Sequence, residues 1–194
     1  ITGTHLAPQF GETAAVIEED GFAIHERVDI EIGDDTPVGI ARSMGLAVSG
    51  MAAAFERLAP DMVVLLGDRY EILAAVQTAV VARVPIAHMC GGDVTEGAID
   101  DSIRHAITKL AAVHFPTNDE SARRIVQMGE DPARVHNVGS TGIDRILSLE
   151  PMAREDFFAS VGLVPRDKNF IITFHPATLS ADAVAEAETM IHAL

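Results

Sequence analysis

Residues 88–105 read HMCGGDVTEGAIDDSIRH, which crowds Asp93, Glu96, Asp100 and Asp101 directly behind an apolar run. Carboxylates that close repel one another, and burying one without a partner is costly. They are therefore either solvated or placed for chemistry. Paired carboxylates in different environments can divide acid and base roles, one raised by burial and its neighbour kept ionised. Gly91 and Gly92 permit close backbone approach to a ligand. A divalent metal held by these acids with His88 is a competing account. The spacing follows neither the EF-hand loop nor the HExxH pair, so no metal is expected. Asp100 and Asp101 equally suit the first turn of a helix, where the helix dipole favours acids. Cys90 is either a nucleophile or inert packing.

Three further stretches carry chemistry. In GDRYE, Asp68 follows an apolar strand at the start of the next helix, as a functional carboxylate or as a helix N-cap. Arg69 and Glu71 beside it read as solvated. In TFHPAT, His175 ends an apolar run and suits a general acid or an electrostatic partner for phosphate. His5, His105 and His114 are weaker candidates of the same kind, and His25, His136 and His192 read as surface residues. In VGSTGID, Gly139, Ser140, Thr141 and Gly142 lead into a helix and could offer backbone N–H groups to an anion. Neither GxxxxGK[ST] nor GxGxxG occurs after a strand.

These residues need a scaffold, and the apolar pattern supplies one. Short β-type runs (DMVVLL, VPIAHMC, AVHFPT, ARVHNVG) alternate with helical segments (RYEILAAVQTAVVAR, IDDSIRHAITKLA, DESARRIVQMG, STGIDRILSL). That alternation predicts an α/β fold with a parallel sheet and helices on both faces. Ligands bind such sheets outside the carboxyl ends of the strands. His5, Asp68, the acidic cluster, Ser140, Thr141 and His175 all follow expected strands. Upstream, RVDIEIG reads as a strand. Residues 36–59 read as a long helix with Thr36 as N-cap, Pro37 in its first turn and a stop at Pro60. Its Ala- and Met-rich stripe suits core packing or a subunit interface.

Composition narrows the classes. The 194 residues are 48% hydrophobic, enough for a sizeable core. With 29 acidic against 14 basic residues the formal charge is −15, which repels phosphate backbones and argues against nucleic acid. A single cysteine excludes an intramolecular disulfide framework and fits a reducing cytoplasm. The strand-like apolar runs are too short to span a membrane. Residues 1–145 are expected to form one domain, 146–167 a linker or crossing segment, and 168–194 the start of a second domain, with a new strand at Phe170. The chain thus reads as part of a longer protein.

Together, TGTHLAPQFGET, GDRYEILA, GGDVTEGAIDDSIRHAITKLA, VGSTGID and TFHPAT, in this order, resemble the hydrolysing UDP-N-acetylglucosamine 2-epimerase family of sialic acid and legionaminic acid synthesis. The resemblance spans essentially the whole chain. It implies a GT-B-like architecture of two Rossmann-like domains, of which this chain carries most of the first and lacks its first strand. It implies elimination of UDP from the sugar nucleotide, a glycal intermediate, and hydration with C2 reprotonated on the opposite face. No cofactor is implied, and the assembly expected is a homodimer or homotetramer. Matched onto the family's motifs, Asp68, Asp100 and His175 are expected to be catalytic, with either Asp93 or Glu96 taking over the role of the Glu that Cys90 replaces, unless the substrate differs. His5, Arg69, Gly91, Gly92, Arg104, His105, Ser140 and Thr141 are the expected substrate-binding set. The chain alone is expected to be inactive.

One departure stands out. Sialic-acid-type members carry Glu two residues after the motif His, where this sequence has Cys90, and a thiol does not replace a carboxylate base at neutral pH. CGGDVTEGAIDD is more similar to the bacillosamine-type branch. Alternatives of other kinds are a non-hydrolysing epimerase, a glycosyltransferase, a sugar-nucleotide-binding module without turnover, and a plain α/β domain whose acids only cap helices.

Overall fold

The computed structural model describes residues 1–175 and 182–194. The chain divides into two units, Ile1–Val138 and Gly139–Leu194.

The first unit opens with two 3-10 turns, Gly3–Leu6 and Pro8–Phe10, and a short helix α1 (Ala14–Glu19). The long helix α2 (Pro37–Leu58) starts as its sequence dictates. The Thr36 hydroxyl accepts a 3.1 Å bond from the Gly39 N–H, Pro37 opens the helix, and Ala59 ends it in a left-handed conformation. Its buried face is made of the small residues Gly39, Ser43, Ala47 and Ala54. Ala47 and Ala54 join Val28, Ile30 and Ala74 in one core cluster. Among the described residues α2 is the one helix long and apolar enough to cross a membrane, and here it packs against the rest of its unit.

The sheet follows as β1 (Val63–Leu66), α3 (Tyr70–Ala82), β2 (Ile86–Met89), α4 (Ile99–Leu110), β3 (Val113–Phe115) and α5 (Asp119–Gln127). The three strands are parallel in the order β1-β2-β3, with Leu65 opposite His88 and His88 opposite His114. Val63 and Leu65 face a second cluster built from Val76, Ala79, Ile86, Ile107 and Ala111. Val64 and Leu66, on the alternate face, are 61% and 53% exposed.

Three expected strands are reduced or missing, each for a visible reason. RVDIEIG makes only the bridge between Thr2 and Val28, because Glu31 turns to a positive φ of 53° and breaks the extended run. Residues 135–138 run beside β3, donating from His136 N to His114 O (2.9 Å) and from Val138 N to Pro116 O (3.1 Å). Pro116 has no N–H to return, so the ladder stops at a single bridge between His114 and Val135. The expected strand at Phe170 finds no neighbour among the described residues, and Phe170 and Ile171 are 84% and 92% exposed. Extended chain becomes a strand only when paired.

The second unit contains α6 (Thr141–Ser148), α7 (Arg154–Ser160) and α8 (Ala183–His192). Helix α7 is the short helix expected between Pro151 and Pro165, with Phe157 and Phe158 in edge-on contact 5.6 Å apart.

Candidate active site

Gly67 turns the chain out of β1 at φ +88°, and Asp68 follows at the carboxyl end of the strand. Its carboxylate pairs with Arg104 of α4, whose side chain is nine-tenths buried. Arg104 also donates to the Thr95 hydroxyl at 2.9 Å, and lies 3.8 Å from Asp101. Asp101 in turn accepts the Thr95 N–H at 2.8 Å, which ties the loop of residues 90–98 to the first turn of α4. Asp100 occupies the same turn and acts electrostatically on Arg69. Arg69 is half exposed, stacks over Tyr70 and grips Glu71 at 3.0 Å, a pairing that raises its pKa. Glu71 is not solvated as its sequence neighbourhood suggests: it is only 6% exposed, against the backbone of Gly3, and the Arg69 pair makes that burial tolerable.

Behind this pair lies His88, fully buried in the middle strand. Its Nε2 is 2.8 Å from the Gly67 carbonyl and its Nδ1 3.2 Å from the Thr108 hydroxyl. Burial pushes its pKa below the ordinary imidazole value. Gly91 leaves room for this ring, since a Cβ there would come within 2.8 Å of Nδ1 and 2.9 Å of the Thr108 oxygen. Gly92 lies against α5 in the same way: at φ +82° a Cβ would run into the Ser121 carbonyl. The close approach these glycines allow is to α4 and α5.

Asp93 accepts hydrogen bonds from the Ser121 hydroxyl and, at 3.5 Å, from the Asn118 amide, beside the N-terminus of α5. Asn118 caps that helix by accepting the Ser121 N–H at 2.9 Å. Arg124 donates to the Gly92 carbonyl and pairs with Glu120 at 2.8 Å. Asp93, Thr95, Arg104, Asn118, Ser121 and Arg124 line a polar cleft of about 430 Å³. Cys90 stands at a positive φ of 61°, and burial, reinforced by the charge of Asp93, pushes its thiol pKa up.

The structure therefore gathers Asp68, Asp93, Gly91, Gly92 and Arg104 with Asp100 and Arg69 at one end of the sheet. Glu96 stands exposed in the connecting turn, and His105 lies half-buried 3.7 Å from Asp101. His5, in the first 3-10 turn, bonds Thr13 at 2.6 Å. Ser140, Thr141 and His175 belong to the second unit, where Thr141 and His175 are exposed and Ser140 precedes α6. Residues 176–181, including the Pro of the HP pair, lie outside the described residues. Thr95, Thr108, Ser121 and Arg124 escaped the sequence reading. Only the α5 contribution left a signal there, the Asn-x-x-Ser spacing of a helix cap. Among the described residues no group of three or more His, Cys, Asp or Glu is disposed to hold a metal. A wider cleft of about 1000 Å³, lined by apolar residues such as Val48, Phe55, Val81 and Val84, lies between α2 and α3.

Compared with known families, residues 1–194 match the UDP-N-acetylglucosamine 2-epimerase family over their full length. The chain belongs to that family. It is 38% identical over all 194 residues to the hydrolysing GDP/UDP-N,N′-diacetylbacillosamine 2-epimerase of Campylobacter jejuni, covering 50% of that protein. It is 33% identical over 184 residues to the hydrolysing UDP-N,N′-diacetylbacillosamine 2-epimerase of Legionella pneumophila, covering 95% of this chain and 47% of the relative. The chain thus spans about half the length of the curated relatives it matches. Among solved structures, a UDP-N-acetylglucosamine 2-epimerase from Listeria monocytogenes described as putative superposes with a TM-score of 0.66 at 20% identity, over 77% of this chain and 40% of the other. The α/β architecture is accordingly the N-terminal part of a GT-B-like fold.

Proposed function

We propose that the full-length protein is a hydrolysing sugar-nucleotide 2-epimerase, acting on UDP-N-acetylglucosamine or a UDP-N,N′-diacetylbacillosamine-type sugar. The observation that carries this reading is the Asp68–Arg104 pair at the end of β1, facing the acid-bearing first turn of α4. The likeness to the hydrolysing diacetylbacillosamine 2-epimerases supports the same assignment.

In the reaction, a carboxylate removes the proton on C2 while the C1–O bond breaks and UDP departs with its electron pair, leaving a 2-acetamidoglycal. Water adds its hydroxyl to C1, and a proton returns to C2 on the opposite face. The products are UDP and the free 2-epimer, N-acetylmannosamine for the simplest substrate. Asp68 and Asp100 are assigned to this proton traffic, Arg104 holding Asp68 in place. Asp93, engaged by Ser121 and Asn118, and the exposed Glu96, on a loop that Gly91 and Gly92 let pack against α4 and α5, are assigned to the sugar face, together with Arg69, His105 and His5. In the second unit, His175 and the turn carrying Ser140 and Thr141 are assigned to the departing diphosphate. Residues 168–194 begin the nucleotide-binding domain in this reading. The protein works in the cytoplasm as a homodimer or homotetramer, in sialic or legionaminic acid synthesis.

The test is to incubate the full-length protein with each sugar nucleotide in deuterated water and follow the products by NMR. Free sugar with deuterium at C2, formed together with UDP, is the expected outcome. Deuterium in a sugar still joined to UDP would replace the reading with a non-hydrolysing epimerase. Tight binding without turnover would replace it with a binding module.

A further inference from the structure

Resting on that reading, we propose that His88 is a positioning residue that fixes the Asp68–Arg104 pair from behind, one ring nitrogen holding the peptide that precedes Asp68 and the other holding the helix turn that carries Arg104. The chemistry proposed above does not use His88, and with no exposed surface it cannot touch substrate. Both of its nitrogens are nonetheless engaged.

The roles of the two nitrogens follow from their partners. The Gly67 carbonyl can only accept, so Nε2 carries the proton and donates across 2.8 Å. Burial disfavours a second proton, leaving Nδ1 as an acceptor for the Thr108 hydroxyl at 3.2 Å. That hydroxyl has a single proton, which it shares between Nδ1 and the carbonyl of Arg104, 3.0 Å away and one turn earlier in α4. The peptide on the other side is equally constrained, because the Gly67 N–H donates to the Met89 carbonyl at 3.1 Å. Gly67 is therefore clamped to β2 through its N–H and its carbonyl, at the left-handed position that sets where Asp68 leaves the strand.

The consequence is geometric. Removing the ring would leave the Gly67 carbonyl without its buried donor and free to rotate, moving the carboxylate one residue away, and would leave Thr108 with the Arg104 carbonyl as its one remaining partner. A displacement of about 1 Å at a reacting group lowers turnover by roughly 100-fold. Arg104 would lose its alignment from the opposite side, through Thr108.

The experiment compares His88→Gln, His88→Asn and Thr108→Val in the full-length protein. Glutamine places its amide where Nε2 stands and keeps the donor to Gly67. Asparagine reaches only the Nδ1 position and keeps the Thr108 contact. We expect kcat to stay within about 3-fold in His88→Gln and to fall roughly 10- to 100-fold in His88→Asn, with KM within about 3-fold in both. Thr108→Val leaves the ring in place, so it keeps the test open should the ring variants fail to fold; its expected loss is about 3- to 10-fold, in kcat alone. His88→Asn turning over as fast as His88→Gln, or Thr108→Val with unchanged kcat, would overturn the inference. Crystal structures give a readout independent of turnover: Asp68 should leave Arg104 in His88→Asn and remain on it in His88→Gln. Wild-type protein that releases no UDP would sink the epimerase reading, while an Asp68–Arg104 pair intact in His88→Asn would sink the positioning role.

Discussion

Gly92 and Gly97 form a natural pair for testing whether the loop after β2 is shaped by its packing. Their φ values are nearly equal, +82° and +81°, but their surroundings differ. At Gly97 a Cβ would meet nothing within 4 Å, so Gly97→Ala carries only the left-handed penalty of about 1–2 kcal/mol. At Gly92 the same Cβ would overlap the Ser121 carbonyl and stand 2.9 Å from the Ile125 side chain. Neither can give way easily: Ser121 is capped by Asn118 and bonded to Asp93, and Ile125 is fully buried. Overpacking of that kind adds about 1–3 kcal/mol. Gly92→Ala should therefore destabilise by about 2–5 kcal/mol, more than Gly97→Ala by about 1–3 kcal/mol. Urea denaturation of the full-length protein reads the difference as a larger fall in midpoint at constant slope. Equal shifts for the two variants would refute the claim that Gly92 is required by contact with α5.

Asp68→Asn and Asp100→Asn should each abolish UDP release while leaving the circular dichroism spectrum unchanged; undiminished turnover in both would remove these carboxylates from the proton traffic. Burial lowers the pKa of both His88 and His114, the latter despite the opposing pull of Glu130 at 3.2 Å. The unfolded chain then binds more protons than the native one below about pH 6.5, so stability is full above that value and declines as pH falls through the depressed native pKa values. Urea midpoints measured from about pH 7.5 down to about pH 5.5 should decline, and His114→Gln should flatten the slope. Cys90, its thiol pKa raised by burial, should react with iodoacetamide at neutral pH more slowly than a free thiol; a faster rate would contradict its environment.

Local signals carried much of the scaffold. Thr36 and Pro37 announced α2 because a cap hydroxyl and an N-terminal proline act within one turn. The apolar runs announced β1, β2 and β3 because each is bounded by its own turn residues. What escaped was decided by partners distant in sequence. Residues 135–138 have strand composition, but the proline that limits their ladder, Pro116, sits just after β3. Glu71 looks like a solvated helix acid until Arg69 and the backbone of Gly3 close over it. The candidate site shows the same division. Asp68 and the acids at 93–101 were legible from their place after strands, whereas the contribution of Ser121 and Arg124 depends on α5 folding back onto Gly92.

The open face of β1 bears on how the molecule behaves in solution. Val64 and Leu66, like Val81 at 85% exposure beside the α2–α3 cleft, are adhesive surfaces carried by a chain with a formal charge of −15. Mutual repulsion between such anionic particles keeps those surfaces apart, and it is strongest in dilute salt, where the screening length reaches about 30 Å at 0.01 M. Near the isoelectric point of 4.7, or at about 1 M salt where screening sets in within about 3 Å, that protection disappears. Colloidal stability of this chain is thus an electrostatic property, and salting at neutral pH should drive it to associate through these surfaces while its core stays intact.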